Sequence, residues 1–118
     1  MRSYLIEDLV EADVQKVKKA FDDMELRGPL EGIYYLPLPD DLLQKEQIDH
    51  KDECGPYFMA LEVVDGASEM SEFQLKLELL TRARNKIRCS CVNYATPEQR
   101  KHMIEYLDQF LDELEISI

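Results

Sequence analysis

The chain has 118 residues, of which 45 % are hydrophobic and 33 % are charged. This length and composition predict one globular domain with a core of its own, and they exclude a disordered chain. Acidic residues outnumber basic ones by 25 to 14, so the formal net charge is −11. Because nucleic acid and anionic bilayers would repel such a chain, we expect neither of them as its partner.

The three cysteines, Cys54, Cys89 and Cys91, indicate a reducing compartment. Their number is odd, and the acids Glu7 and Asp8 come too early in the chain for a secretory signal. No apolar run approaches the roughly 18 residues that a membrane-spanning helix needs. We therefore expect a cytoplasmic protein whose thiols are free.

The first element is ambiguous, because residues 2–9 suit either an edge strand or the start of a helix. The aromatic and β-branched side chains around Tyr4 and Ile6 favour the strand. A helix is predicted over residues 10–25, where an apolar stripe has helical spacing. The stripe consists of Val10, Val14, Val17, Phe21 and Met24.

The segment that follows predicts shorter elements. A strand is predicted over residues 32–36 and a short helix over residues 41–49. A polar loop is predicted over residues 49–56, because Gly55-Pro56 is a strong turn signal.

The clearest pattern in the chain predicts a strand over Phe73–Thr81. Apolar and polar side chains alternate from Phe73 to Leu79 without exception, which is typical of a strand with one buried face. Strands are also predicted over Tyr57–Val64 and Ile87–Tyr94. A turn at Asp65-Gly66, lengthened by residues 67–72, joins the strand at 57–64 to the strand at 73–81. Together with the strand at 87–94, they form an antiparallel meander.

The last element is a helix predicted over residues 97–115. Thr96 suits the N-cap, Pro97 the first helical position, and Gln99 completes a capping box. The element order is then (β)-α-β-(α)-β-β-β-α. It predicts a two-layer α+β sandwich, in which the N- and C-terminal helices pack on one face of a mostly antiparallel sheet of four to five strands.

One candidate site consists of thiol and imidazole groups, which could form a Cys₃His zinc site. Its members are His50, Cys54, Cys89 and Cys91. A regular strand over Cys89-Ser90-Cys91 would point both thiols to one face, one layer apart, which is a poor bite for a small ion. That geometry favours Cys89 and Cys91 as core residues in line with Ile87. A thiol nucleophile at Cys54 with His50 is a weaker hypothesis, because no third orienting group is identifiable.

A second candidate is a run of basic residues in and around a turn predicted over residues 83–86, which could bind an anionic ligand. The run consists of Arg82, Arg84, Lys86 and Arg88. The alternative is a solvated turn whose cations pair with the protein's own acids.

A third candidate is the second face of the predicted meander, which mixes apolar, aromatic and charged side chains. Such a mixture occurs on the surfaces of dimers and adaptors, but also on sheets that simply face water. The residues predicted for this interface are Phe58, Glu62, Lys76, Glu78, Arg88, Val92 and Tyr94.

These patterns favour a binding protein over an enzyme. The chain has no glycine-rich phosphate loop, nucleophile elbow or zinc-protease helix. We therefore expect an acidic cytosolic protein-binding or adaptor module that binds a protein partner or forms a homodimer through the second face. A metal- or thiol-dependent protein and a binder of small anions are the alternatives, and zinc is the cofactor to consider.

Overall fold

The computed structural model describes residues 2–64 and 73–118. It shows an α+β domain with a six-stranded antiparallel sheet and four α-helices in these ranges, which confirms the predicted fold class. The strands are β1 (Ser3–Leu9), β2 (Ile33–Pro37), β3 (Tyr57–Val64), β4 (Phe73–Glu78), β5 (Leu80–Ala83) and β6 (Asn93–Tyr94). The helices are α1 (Glu11–Asp23), α2 (Lys45–Asp49), α3 (Lys51–Cys54) and α4 (Pro97–Glu113), with a 3₁₀ turn at Asp40–Leu42.

Strand β3 lies at the centre of the sheet. β2 pairs along one of its edges, while β4 and β5 follow one another along the other edge. β1 then pairs with β4, and the two-residue β6 pairs with β5. The sequence-based choice of a strand for residues 2–9 is confirmed.

The alternation that predicted one strand from Phe73 continues to Ala83. Leu75, Leu77 and Leu79 point inward and are buried, and Thr81 and Ala83 continue the same face. The ladder is interrupted only at Leu79, whose N–H donates to the Arg2 carbonyl at 3.0 Å and whose carbonyl accepts from Ala95. Hydrophobic periodicity therefore predicted the buried face correctly up to Leu79, and the structure extends that face two residues beyond the predicted end of the strand, to Ala83.

The two long helices cover the inner face of the sheet. Phe21 of α1 stacks on Phe110 of α4 with ring centroids 4.4 Å apart, and Phe21 is completely buried. The Tyr4 hydroxyl of β1 donates to the Asp108 carboxylate of α4 at 2.6 Å. A fully buried leucine or phenylalanine side chain contributes about 1.5–3 kcal/mol, so this interface is a main source of stability.

The prediction of a strand over Ile87–Tyr94 is wrong for residues 87–92. Only Asn93 and Tyr94 pair with β5, and Ile87 is 85 % exposed rather than part of a buried face. After β5, the backbone N–H groups of Arg84 and Asn85 still donate to the carbonyls of Pro56 and Cys54, each at 2.9 Å, and the chain leaves the sheet beyond them.

The connection between β2 and β3 also differs from its prediction. The single helix expected over 41–49 is replaced by the 3₁₀ turn and α2, and part of the predicted loop over 49–56 is α3. The predicted turn at Asp65-Gly66 and its extension over 67–72 lie outside the described residues.

Candidate metal centre

Four metal-ligating side chains converge beside the start of β3. The ligand atoms of His50, Cys54, Cys89 and Cys91 all lie within 4.8 Å of one another. Cys54 and Cys91 are completely buried, while His50 and Cys89 are half-buried. The three thiols are free cysteines. The sequence had identified these four residues, and the fold brings them together.

Two separate segments of the chain, here called the first and second arms, supply the cluster. The first arm is a single helical turn. His50 joins α2 to α3, and its carbonyl accepts the N–H of Cys54 at 2.8 Å. Residues four apart lie on the same side of a helical turn, so the imidazole and the thiol face the same way. Gly55 closes this arm, because a Cβ there would lie 2.8 Å from the Lys51 carbonyl oxygen.

The second arm is a tight turn rather than a strand. The Val92 N–H donates to the Cys89 carbonyl at 3.0 Å, which bends the chain over Cys89–Val92. Asn85 fixes the start of this loop, since its side-chain amide donates to the Gly55 carbonyl at 2.6 Å. The turn brings both thiols towards His50, and the His50 Nδ1 lies 3.1 Å from the Cys89 Sγ.

The electrostatics of the cluster favour a thiolate on Cys89. The Cys91 backbone N–H is the main cause that lowers the pKa of the Cys89 thiol to about 6, and hydrogen bonds from Cys91, His50 and Cys54 add to it. Burial, as the main cause, raises the pKa of the Cys54 thiol to about 11. A buried thiol with a raised pKa is a poor nucleophile, so the cluster does not favour the nucleophile hypothesis for Cys54.

The arrangement fits a tetrahedral metal ion. With metal–ligand bonds of about 2.0–2.3 Å, the ligand atoms of a zinc site lie about 3.3–3.8 Å apart. Bringing a set that spans 4.8 Å to those separations needs only small side-chain movements. The poor bite expected at Cys89 and Cys91 depended on a regular strand, which residues 87–92 do not form. Cys91 is part of the hydrophobic core and Cys89 packs against it, as the core prediction expected, whereas Ile87, the third residue of the predicted core face, is exposed.

A buried polar network, which the sequence did not reveal, supports the second arm. Gln47 of α2 donates to the Cys91 carbonyl at 3.2 Å and accepts from the Gln99 amide at 3.1 Å. Gln99 also donates to the Leu42 carbonyl and accepts from the Thr81 hydroxyl. Among the described residues, no buried side-chain N or O atom lacks a hydrogen-bond partner. The capping box at Gln99 was predictable, but its partners come from distant segments.

We expect Gln99→Leu to lower the free energy of unfolding by about 1–3 kcal/mol, since it leaves buried groups without partners. Gln109→Leu is the matched control, because it makes the same change at an exposed position of α4. Urea unfolding at equilibrium measures the free energy of unfolding of both variants. Equal stability of the two variants would contradict a structural role for the network.

The predicted anion-binding residues divide into two groups. Arg82, Arg84 and Lys86 line one cavity. Arg88 lies on the exposed part of the loop and is not among the residues that line it.

The predicted interface residues are distributed over the sheet and the loop. Phe58 is buried against Tyr35, while Glu62, Lys76 and Glu78 lie on the outer face of β3 and β4. Arg88 is exposed and Val92 packs against the core. Tyr94 is 47 % exposed, with the Arg2 guanidinium 4.8 Å above its ring. Their use as an interface stays a prediction.

No helix in residues 2–64 and 73–118 is both long and apolar enough to cross a bilayer. Comparison of the chain with protein-family models, with curated proteins and with solved structures finds no significant match.

Proposed function

We propose that this protein is a zinc-stabilised binding module, with one zinc ion held by His50, Cys54, Cys89 and Cys91. The observation that carries the proposal is the convergence of four ligand atoms within 4.8 Å of one another. Three soft thiolates and one imidazole select zinc over magnesium or calcium, which prefer oxygen ligands. A reducing cytoplasm would keep the thiols available to the metal.

The proposed role of the zinc is structural. Four protein ligands complete a tetrahedral shell, whereas catalytic zinc sites keep one position open for water or substrate. The ion would join the α3 turn to the loop over residues 84–92. This loop is followed by a strand of only two residues, and hydrogen bonds at Asn85 and at the Cys91 carbonyl hold it to its neighbours. A metal cross-link would add a further constraint between these bonds.

Metal content of the purified protein tests this proposal. The chain offers a matched pair of variants, because its two histidines are His50 in the cluster and His102 exposed on α4. We expect about one zinc per chain in the wild type and in His102→Ala, and weaker zinc binding in His50→Ala. Three thiols that titrate freely in the metal-loaded protein, or equal zinc affinity of both variants, would contradict the assignment.

The partner of the module is a second candidate function. On the outer face of the sheet, Leu5, Lys76 and Glu62 lie side by side across β1, β4 and β3. Leu5 is 42 % exposed and Glu62 is exposed. An apolar side chain beside charges of both signs suits a polar protein interface, so we propose this face for a homodimer or a protein partner.

Light scattering coupled to size-exclusion chromatography tests the homodimer. We expect a concentration-dependent dimer that Leu5→Glu weakens, because the new carboxylate would be desolvated at the interface. Leu30→Glu, at another exposed leucine, is the control. A strict monomer at high concentration would exclude the homodimer.

A further inference from the structure

A cavity of about 470 Å³ opens beside the end of β5. Four cationic side chains line it, and no acid is among the described residues that do so. The four are Arg27, Arg82, Arg84 and Lys86. In a chain with a net charge of −11, such a local reversal of charge indicates an anionic ligand.

The wall of the cavity is aromatic as well as basic. Tyr35 and Phe58 stack with ring centroids 3.9 Å apart. The Arg84 guanidinium lies 5.2 Å from the centre of the Tyr35 ring, a cation–π contact that helps to orient it. A ligand that fills this space needs an apolar or planar part in addition to its charge.

Two of the arginines are held in place by ion pairs with acids that do not line the cavity. Arg82 donates through Nε and one terminal nitrogen to Glu78 at 2.5 and 3.1 Å. Arg27 contacts the Asp22 carboxylate through the corresponding nitrogens at 3.1 and 3.0 Å. A guanidinium carries five N–H donors, so each of these arginines keeps donors for a ligand. The acids position the arginines without filling the cavity.

The other two cations are less constrained by acids. The Lys86 Nζ lies 3.7 Å from a Glu53 carboxylate oxygen, beyond the usual length of a hydrogen bond. Arg84 forms no ion pair within residues 2–64 and 73–118, since its contacts there are the Tyr35 ring and the backbone bond to Pro56. Arg84 is therefore the cation best placed to bind an added anion.

We propose that this cavity binds a small phosphate monoester whose phosphate is carried on a planar or apolar group. A phosphate offers three acceptor oxygens and nearly two negative charges, which match several converging arginine donors better than a carboxylate does. The volume lies within the range of small-ligand sites. The proposal does not depend on the zinc site and uses different residues.

Isothermal titration calorimetry of the purified full chain with phenyl phosphate tests it. Loss of a charge-assisted contact costs about tenfold in affinity, so Arg84→Glu should weaken binding by at least about that factor. Arg88→Glu makes the same charge change at an exposed residue that does not line the cavity. It should stay within about twofold, because salt screens an exposed charge that does not contact the ligand. Far-UV circular dichroism and urea unfolding confirm that each variant is folded.

Other ligands and a milder variant complete the test. Inorganic phosphate lacks the ring and benzoate lacks the phosphate, so both should bind more weakly than phenyl phosphate. If Arg84→Glu does not fold, Arg84→Gln takes its place, because it removes the charge and keeps a long polar side chain. It should also bind phenyl phosphate more weakly than the wild type does. Equal weakening by Arg84→Glu and Arg88→Glu, tighter binding of benzoate, or no binding of phenyl phosphate would overturn the proposal.

Discussion

The free energy of unfolding should rise by about 1.4 kcal/mol for each tenfold increase in free zinc above the dissociation constant. Zinc would bind the folded cluster, whereas the unfolded chain separates Cys54 from Cys89 by 35 positions in sequence. A ligand that binds only the folded state stabilises it by mass action, by about 4 kcal/mol at a thousand times the dissociation constant. Urea unfolding in zinc-buffered solutions measures this slope.

The two histidine variants separate the zinc effect from general effects of metal and buffer. His50→Ala removes one ligand and should move the rise in stability to higher free zinc, because three thiolates bind the ion more weakly and stabilise the fold less at a given zinc concentration. His102→Ala should keep the wild-type dependence on free zinc, since His102 is exposed on α4. A stability that does not change with free zinc in the wild type would disprove the structural role. This measurement is independent of ligand binding at the arginine cavity.

The four residues of the candidate metal centre were predictable from the sequence, but their geometry was not. Ile87, Cys89 and Cys91 alternate with polar residues, a pattern typical of a strand. Two contacts from far away in sequence fold this segment differently. Asn85 donates to Gly55, and Gln47 donates to the carbonyl of Cys91. Local periodicity carries no information about such long-range bonds.

The elements that were predicted correctly have strong local signals. β3 begins and ends at the predicted residues, Tyr57 and Val64. The capping box at Thr96 and Gln99 is present at the start of α4, with the Gln99 N–H 3.1 Å from the Thr96 hydroxyl. An alternating face or a helix cap is encoded within a few neighbouring residues, so it does not depend on the rest of the fold.

The residues that line the arginine cavity were predictable only in part. Arg82, Arg84 and Lys86 were identified as one basic run, and all three line the cavity. Arg27 and Tyr35 contribute from the connection before β2 and from β2 itself, far away in sequence. Since sheet pairing brings Tyr35 onto the same face as Phe58, only the topology could reveal the aromatic wall.

The substitution with the largest expected effect on folding is Leu77→Ala, at the middle of the sheet. Leu77 is completely buried, and it pairs with Tyr4 of β1 on one side and with Leu61 of β3 on the other. Truncation of Leu77 removes buried methyl groups and leaves a cavity on the inner face of β4. This strand is held by a neighbouring strand on each edge. We expect the free energy of unfolding to fall by about 2–5 kcal/mol.

Leu30→Ala is the matched control, because it removes the same atoms from a side chain that is 69 % exposed. It should change the free energy of unfolding by no more than about 0.5 kcal/mol. Both values come from urea unfolding, in which the transition midpoint should shift while the slope with denaturant stays constant. A loss below about 1 kcal/mol for Leu77→Ala would mean that the sheet collapses around the gap, since the cost depends on how far the site can relax. The inner face would then be less rigid than its close packing against α1 and α4 implies.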